Sequence, residues 1–289
     1  MPELPEVEWA ARALRKDLLH QRIRNVVVKP GPPVVGSAPA MARALRGRSV
    51  ERVERRGKQL VLWLDDGRAL LLHLGMTGRV AGDGPRARLR FELPTKVVSL
   101  EDTRRLGRVS LVDAAEAARA LDALGPDAME ASPAVLADRL ATAKAPIKQA
   151  LLDQARIAGV GNIYAAEGLF RAGVDPRTPT RHLTRPVLLR VLREVRAVMR
   201  KSLTATDTAY LSEGAENTFL VYGRAGAPCP RCHTVIQRLA QAGRSTFYCP
   251  KCQPPWRRPP SSRETTKKPG GARVTLGKGA ALGRGRLRD

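Results

Sequence analysis

The feature that most constrains this chain is the placement of its four cysteines. They form two pairs, each with two residues inside it and with sixteen residues between the pairs: Cys229/Cys232 and Cys249/Cys252. This spacing is typical of a tetrahedral zinc site with four thiolate ligands, and it favours a reducing compartment over a secreted disulfide framework. Because sulfur would fill every coordination position, we expect one structural Zn²⁺. Alternating residues at 235–239 and 246–248 predict a β-hairpin between the pairs.

The chain also carries a large excess of positive charge. It has 51 Lys and Arg against 27 Asp and Glu, a formal net charge of +24. Such a charge is typical of a protein that binds a polyanion, and nucleic acid is the leading candidate. An acidic membrane surface is the alternative, but no segment approaches the roughly 18 to 20 apolar residues of a spanning helix. Glu3, Glu6 and Glu8 stand where a signal peptide would be basic, so we expect an intracellular protein, cytoplasmic or in the nucleoid if bacterial.

Hydrophobic periodicity divides the chain into four regions. Residues 1–125 are predicted to form a β-sandwich preceded by a helix, and residues 126–218 show mostly helical patterns. Residues 219–253 hold the cysteines. Residues 254–289 form a tail with ten Lys or Arg against two acidic residues, which predicts disorder. The predicted helices are 5–20, 133–142, 146–158, 163–172 and 184–203, and the predicted strands are 23–28, 50–53, 60–64, 69–74, 88–93, 97–100 and 109–112.

Several short motifs occur in a fixed order between residues 1 and 253. They are Met1-Pro2-Glu3-Leu4-Pro5-Glu6-Val7-Glu8, Gly57-Lys58, His73-Leu74-Gly75-Met76-Thr77-Gly78, Gly159-Val160-Gly161-Asn162-Ile163-Tyr164-Ala165-Ala166-Glu167, Val221-Tyr222-Gly223-Arg224 and Gly243-Arg244-Ser245-Thr246-Phe247-Tyr248-Cys249. Together they resemble the formamidopyrimidine-DNA glycosylase and endonuclease VIII family. The stretch from Leu4 to Glu8 is more similar to the formamidopyrimidine-DNA glycosylase branch.

The resemblance implies a multidomain α+β fold in which a helix-two-turn-helix domain lies between the sandwich and a zinc-finger hairpin. It implies a monomeric DNA glycosylase and abasic-site lyase of base excision repair, acting on double-stranded DNA with damaged bases or abasic sites. Oxidised purines such as 8-oxoguanine and formamidopyrimidines are the first expectation. Oxidised pyrimidines are the alternative, because the segment 204–217 is shorter than usual in the family and lacks its Gly-rich ending.

Pro2 is the predicted nucleophile. Its small size permits removal of Met1, which exposes a secondary amine with a pKa far below that of lysine. Attack on the sugar C1′ would expel the base and leave an iminium ion, and the family then cleaves the strand by β- and δ-elimination. The resemblance makes Glu3 the general acid and base, and Glu6 is expected to bridge to the same amine or to organise water. Taken alone, this start is better explained by helix capping.

Further positions match the family's phosphate contacts. Lys58, Asn162 and Arg244 are expected to hold the phosphates around the lesion, with Lys58 also counted among the catalytic residues and His73 assisting. Asn162 stands at a predicted helix start, which suits an anion. Taken alone, Arg244 is equally well explained as a solvated surface residue, and His73 as a structural histidine.

A wedge is also expected, because an enzyme that flips a base out of a duplex must fill the gap. Met76, Arg104 and Leu106 match the family's wedge positions. Thr103 and Leu106 stand where the formamidopyrimidine-DNA glycosylase branch usually has Pro and Phe. Leucine stacks less well on bases, which puts the preference for the opposite base in doubt.

Two other classes of function fit the charge. A non-catalytic zinc-ribbon DNA-binding protein would explain the cysteines and the tail, but it would not need Pro2 or Glu3. An RNA-binding ribosomal or processing factor would leave Asn162 and Met76 without a purpose.

Overall fold

The computed structural model describes residues 2–204 and 218–256, and the chain begins with helix α1, Leu4–Leu18. Pro5 lies in its first turn, where a missing N–H costs no hydrogen bond. Residues at helical spacing, such as Val7, Leu14 and Leu18, are buried against the first core. The amphipathic pattern of the sequence therefore predicts this helix well.

Strands over residues 25–112 form two antiparallel sheets, so the predicted β-sandwich is confirmed. One sheet has the order β1-β6-β7-β5 and the other β2-β3-β4-β8, where the strands are β1 Asn25–Val28, β2 Val50–Arg56, β3 Gln59–Leu64, β4 Ala69–His73, β5 Gly78–Ala81, β6 Ala87–Glu92, β7 Val97–Asp102 and β8 Arg108–Val112. In β3, Leu60 and Leu62 face the core that Phe91 of β6 also enters. Val61, on the other face, packs in a separate cluster with Ala117. This is the period-2 alternation of a strand with two covered faces.

Two helices and one strand in this region have no counterpart in the sequence predictions. Helix α2, Ala38–Leu45, and helix α3, Ala114–Asp122, are short, and β5 has only four residues. Each helix has a side-chain N-cap: the Ser37 hydroxyl accepts from the Ala40 N–H, and the Asp113 carboxylate accepts from the Glu116 N–H. Capping residues satisfy the free N–H groups of a first turn, so these two caps were the available signal.

The helical region contains α4 Pro133–Ala141, α5 Ile147–Leu152, α6 Asn162–Ala172, a 3₁₀ turn Thr180–His182 and α7 Arg185–Thr204. The prediction of one helix over 146–158 is wrong, because α5 ends at Leu152. Asp153 accepts from the Ala155 N–H, and Gln154 bonds the Leu152 carbonyl and the Gly159 N–H. These local side-chain bonds replace the helical ladder.

The zinc-finger hairpin consists of β9 Gln237–Gln241 and β10 Arg244–Tyr248. Ala242 and Gly243 join them with φ of 47° and 72°, the conformation of a type I′ turn. The first predicted strand began two residues too early. Within the described residues, no helix has both the length and the apolar character needed to cross a membrane. The domain boundaries at 125/126, 218/219 and 253/254 stay predictions, and residues 257–289 of the predicted disordered tail lie outside the described part.

Candidate active site

The Glu3 carboxylate lies at the N-terminus of helix α6 and has no solvent exposure. Its Oε1 accepts a hydrogen bond from the Ile163 N–H at 2.9 Å, and its Oε2 accepts one from the Tyr164 N–H at 3.3 Å. The first N–H groups of a helix have no partner within the helix and lie at the positive end of its dipole. Helix α6 therefore holds in one orientation a carboxylate that lies 160 residues earlier in the chain.

Gly161 makes room for this carboxylate. A Cβ at Gly161 would lie 2.1 Å from Glu3 Cδ and 2.4 Å from each carboxylate oxygen. Its φ of −124° is accessible to any residue, so space rather than backbone freedom requires glycine here. The glycine at this position of the quoted motif is therefore required by the passage of the Glu3 side chain.

Glu6 fixes the backbone next to Pro2. Its Oε2 accepts from the Glu3 N–H at 2.7 Å, and its Oε1 accepts from the Tyr164 hydroxyl at 2.6 Å. Glu3 and Glu6 also form a capping box at the start of α1. The hydrogen bond from the Glu3 N–H to Glu6 thus belongs both to the cap of α1 and to this cluster. Pro2 is buried beside them. Tyr164, which the sequence analysis quoted only within a motif, is an additional residue of this cluster.

Burial, together with the charges of this cluster, shifts the pKa of two of its members. Burial raises the pKa of Glu3 above its ordinary value, and the positive charge of Lys58 opposes this increase. Burial and the nearby Arg244 lower the pKa of Lys58, with Glu3 acting in the opposite sense. A carboxyl group with a raised pKa retains a proton more readily near neutral pH, which is what a general acid needs.

The expected phosphate contacts lie around the same cluster. Asn162 is the first residue of α6, and its Nδ2 donates to the Ser245 carbonyl at 3.0 Å. Arg244 is exposed at the start of β10, and its charge acts on Lys58. The structure thus brings Lys58, Asn162 and Arg244 near Glu3 from three separate regions of the chain.

His73 ends strand β4 with its side chain exposed. Its Nδ1 accepts from the Gly75 N–H at 3.1 Å, so the ring proton belongs on Nε2. Partial desolvation of the ring and the charge of Lys58 lower the pKa of His73. The neutral ring therefore presents an N–H donor, and no net charge, to a ligand outside.

Lys148 is a buried cation that the sequence analysis missed. It lies on α5 with no solvent exposure, and its Nζ donates to Thr246 Oγ1 at 2.6 Å and to the Ser245 carbonyl at 3.1 Å. Burial, followed by the charge of Arg244, lowers the pKa of Lys148 to about 8. Its position between Ile147 and Ala150, on the buried face of the helix, was the available signal.

The three predicted wedge residues lie on two adjoining loops. Met76 and Leu106 are 37% and 52% exposed, unusual values for large apolar side chains. The Arg104 N–H donates to Thr77 Oγ1 at 3.0 Å, and Thr77 Oγ1 donates to Asp102 Oδ1 at 2.6 Å. Asp102 and Thr77 therefore hold the Arg104–Leu106 loop against the turn that carries Met76.

Glu167 anchors the chain where the described residues resume. Its carboxylate is fully buried and accepts from the N–H groups of Leu220, Val221 and Tyr222 at 2.8 to 3.0 Å. Of the short segment 204–217 that the sequence analysis discussed, Thr204 ends α7 and residues 205–217 lie outside the described part. Glu167 belongs to a quoted motif, but its partners could not be read from the sequence.

The four cysteine sulfurs form a metal site. All lie within 4.8 Å of one another, and three of the distances are 3.4 to 3.8 Å. Zinc–sulfur bonds of about 2.3 Å in a tetrahedron place sulfurs about 3.8 Å apart. The N–H groups of Arg231 and Cys252 also point at thiolates, Cys229 Sγ and Cys249 Sγ, at 3.4 Å. The donor set fits one structural Zn²⁺, as the spacing predicts.

Comparison with known proteins places this arrangement in a family. Residues 1–109 match the formamidopyrimidine-DNA glycosylase N-terminal domain, residues 123–212 match the H2TH domain of the same enzymes, and residues 226–255 match the zinc finger found in FPG and IleRS. The formamidopyrimidine-DNA glycosylase of Chloroflexus aggregans is 40% identical over 272 residues, and the match covers 88% of this chain and 98% of that protein. The corresponding protein of Desulfitobacterium hafniense is 36% identical, with 88% and 100% covered.

Solved structures agree with these matches. The MutM (Fpg) protein of Thermus thermophilus has a TM-score of 0.75 and 35% identity, and the match covers 87% of this chain and 98% of that one. The Lactococcus lactis Fpg complex with FAPY-dG-containing DNA has a TM-score of 0.77 and 27% identity, with 88% and 100% covered. The profile matches, the identities and the shared fold lead to one conclusion: this chain belongs to the formamidopyrimidine-DNA glycosylase family.

Proposed function

We propose that this protein is a bifunctional DNA glycosylase and abasic-site lyase that removes oxidised bases in base excision repair. The observation that carries the proposal is the buried Glu3 carboxyl group, with its raised pKa, held by α6 directly beside Pro2. A nucleophile with a proton donor on the neighbouring residue, held in one orientation, is what cleavage of a glycosidic bond requires. The family membership and the solved complexes of the Lactococcus protein with FAPY-dG DNA and with abasic-site DNA support it.

The proposed reaction begins after Met1 is removed. The neutral Pro2 amine attacks the sugar C1′ while the bond from C1′ to the base breaks, and the departing base takes up the proton that the amine loses. Glu3 delivers a proton to the ring oxygen as the ring opens. The product is an iminium ion between Pro2 and C1′. Loss of the C2′ proton then expels the 3′ phosphate in β-elimination, and a second elimination releases the 5′ phosphate. Water finally hydrolyses the iminium and regenerates the amine.

The remaining predicted residues are assigned to DNA. Lys58, Asn162, Arg244 and His73 present two charges and two neutral donors around Glu3, which suits phosphates on either side of the flipped nucleotide. The exposed wedge residues Met76, Arg104 and Leu106 fill the space that the base leaves. The partner is therefore double-stranded DNA that contains a damaged base or an abasic site.

Oxidised purines, including formamidopyrimidines and 8-oxoguanine, are the proposed first substrates. The family and the FAPY-dG complex of the Lactococcus protein favour them. Oxidised pyrimidines are a second candidate, because that protein has also been solved with DNA containing an oxidised pyrimidine. Single-turnover excision from duplexes that each contain one defined lesion, opposite each of the four bases, separates the two and tests the effect of Leu106.

Covalent capture tests the nucleophile. Borohydride added during the reaction should reduce the iminium and leave the protein attached to lesion DNA through Pro2, because the iminium is the species in which protein and DNA are covalently joined and its reduction makes that bond stable. Peptide mapping by mass spectrometry checks the attachment site. Two variants serve as controls: Pro2→Gly, which keeps a terminal amine, and a chain with one extra residue before Pro2, which removes the proline amine. Attachment to a lysine, or undiminished capture by the extended chain, would overturn the assignment.

A further inference from the structure

A buried guanidinium outside the residues assigned above joins three parts of the molecule. The Arg55 side chain, in β2, is 5% exposed. Its Nε donates to Glu8 of α1 at 2.8 Å, its Nη1 to Asp127 at 2.5 Å, and its Nη2 to Glu130 at 3.0 Å. Glu8 belongs to the helix that begins next to Glu3, and Asp127 lies where the helical region begins. One cation thus spans elements that are more than 70 residues apart in the chain.

Asp127 also binds the turn that carries Lys58. Asp127 Oδ2 accepts from the Gly57 N–H at 2.8 Å, and Arg55 Nη1 donates to the Gly57 carbonyl at 3.1 Å. Asp127 Oδ1 accepts from the Met129 N–H at 2.9 Å, which fixes the carboxylate in turn. Both backbone hydrogen-bonding groups of Gly57 are therefore held by one buried ion pair.

Steric contact restrains the same turn from the other side. Gly57 has a φ of 58°, and a Cβ there would lie 2.8 Å from Ala158 Cβ and 2.9 Å from the Gly159 nitrogen. The Gly159 carbonyl in turn accepts from the Leu4 N–H at 3.3 Å, next to Glu3. The turn that carries Lys58 thus packs against the segment that leads into α6. This segment in turn contacts the start of α1.

The interactions of Arg55 with Glu8 and Asp127 favour the ionised forms of Arg55 and Glu8. Burial alone would raise the pKa of Glu8, but the hydrogen bond and charge of Arg55 lower it overall. Arg55 keeps its proton against burial because Asp127 and Glu8 raise its pKa. A buried, fully hydrogen-bonded ion pair sets relative positions more firmly than an exposed one, because its members have no water to exchange with.

We propose that Arg55 and Asp127 form a clamp that positions the Lys58 ammonium near the Glu3 carboxyl group. Both are positioning residues, since neither contacts the reacting atoms. The inference rests on the proposed function, because that function makes Glu3 the proton donor and Lys58 a phosphate-binding group. Loss of the clamp should displace the Lys58 side chain without removing its charge.

The pH dependence of excision reports the position of Lys58. Lys58 is the largest influence that opposes the raised pKa of Glu3, so displacing it should raise that pKa further. The other groups that act on Glu3 are Glu6 and the N–H groups of Ile163 and Tyr164, and Lys148 and Tyr222 also lie within electrostatic reach. Asp127→Ala leaves all of these in place, so the shift isolates Lys58.

The experiment measures single-turnover excision against pH, with the full chain in saturating excess over lesion DNA. Asp127→Ala should lower the rate about tenfold or more, as expected for a misplaced group, with a change in DNA affinity below about threefold. The pH limb assigned to Glu3 should move to higher pH. Glu130→Gln is the matched control: it removes another Arg55 partner, whose side chain is 70% exposed and which does not bond Gly57. It should stay within about twofold of wild type.

A double-mutant cycle separates positioning from general stability. In a Lys58→Met background, Asp127→Ala should cost little further rate, because the group that it positions is gone. If Asp127→Ala unfolds, Asp127→Asn takes its place, since an amide oxygen still accepts from Gly57 N–H but lacks the charge that binds Arg55. Additive losses, an unshifted pH limb in a folded variant, or an equal loss in Glu130→Gln would overturn the clamp. An absence of excision by wild-type protein would instead contradict the proposed function.

Discussion

The β-sandwich and the zinc finger reach a fixed structure by different means. The core that includes the sandwich contains 25 buried apolar residues, from Val7 to Val109. The cluster at the finger contains six buried residues, of which two are cysteines and two, Ala166 and Phe170, belong to α6. So few apolar side chains cannot offset the conformational entropy of ordering the hairpin. The metal must therefore supply the stabilising free energy that the apolar core supplies in the sandwich.

Polar side chains complete the attachment of the finger to the helices. Gln253 is fully buried, accepts from the Cys249 N–H at 3.0 Å and donates to the Val174 carbonyl at 2.8 Å. Gln241 donates to the Pro176 carbonyl at 3.3 Å and accepts from Thr246 Oγ1, which Lys148 also contacts. Pro2 and Glu3, the reacting groups, thus adjoin a helix that packs on an apolar core. Arg244 instead lies on a hairpin that is held by a metal and a few buried hydrogen bonds. The difference predicts separable failures of chemistry and of DNA binding.

The largest expected effect comes from removing a zinc ligand. Cys249→Ser should release the metal and unfold the hairpin, because ligand binding and local folding are coupled. Lesion DNA binding should fall by more than about a hundredfold, since several contacts are lost together. Zinc content and DNA affinity measure this, while hydrogen exchange should show β3 and β6 still protected.

Arg244→Ala is the matched control for that variant. It should retain zinc and lower the slope of log affinity against log salt by about 0.9, the value for one phosphate. Normal DNA binding and cleavage by zinc-free protein would contradict the division between the two regions. Loss of protection in β3 and β6 would contradict it as well, because the sandwich would then depend on the metal.

Local patterns predicted those parts of the fold that local chemistry determines. The cysteine spacing identified the metal site, and helical periodicity identified α1 and α7, because both signals lie within one short segment. The same reasoning extended α5 six residues too far. The competing bonds there come from Asp153 and Gln154 side chains, which periodicity does not register.

Contacts between distant segments could not be predicted, because sequence patterns report only on residues within one short segment. Motif matching identified Glu3, but nothing in the sequence shows that it caps α6, 160 residues away, or that Gly161 leaves space for it. Arg55 with Asp127, and Lys148 with Thr246, are likewise pairs whose meaning appears only once packing brings them together. A charged residue on the buried face of a helix, as at Lys148, is the kind of exception that merits attention in a sequence.

The next prediction concerns Lys148, a residue of α5 that donates hydrogen bonds to the zinc-finger hairpin. Its pKa is lowered to about 8 in the folded protein, so between that pH and the ordinary lysine value of about 10.4 the unfolded chain binds more protons. The free energy of unfolding should therefore rise with pH across this window, by up to about 1.4 kcal/mol per pH unit, and this gain is lost as pH falls through 8.

Denaturant unfolding at a series of pH values measures this contribution as a difference between variants. Lys148→Met should flatten the rise, whereas Lys144→Met, which changes an exposed lysine four residues earlier in the chain, should leave it unchanged. Parallel curves for wild type and Lys148→Met would show that the buried lysine retains an ordinary pKa. A flattened curve for Lys144→Met would show that the effect is one of total charge.

The smallest expected effect on the reaction concerns residues 257–289, which lie outside the described part of the chain and beyond the zinc-finger match that ends at residue 255. Their ten Lys and Arg should strengthen binding to any duplex by displacing counterions, a contribution that weakens steeply with salt. Replacing the ten with Gln should weaken binding to undamaged DNA and flatten its salt dependence. Single-turnover excision at saturating enzyme should stay unchanged, because the reacting groups lie in residues 2–256.

A tail of scrambled order but equal charge should behave as wild type, since counterion release depends on charge. An altered choice of lesion after neutralisation would place the tail in the active site, and an unaltered salt dependence would show that it does not contact DNA.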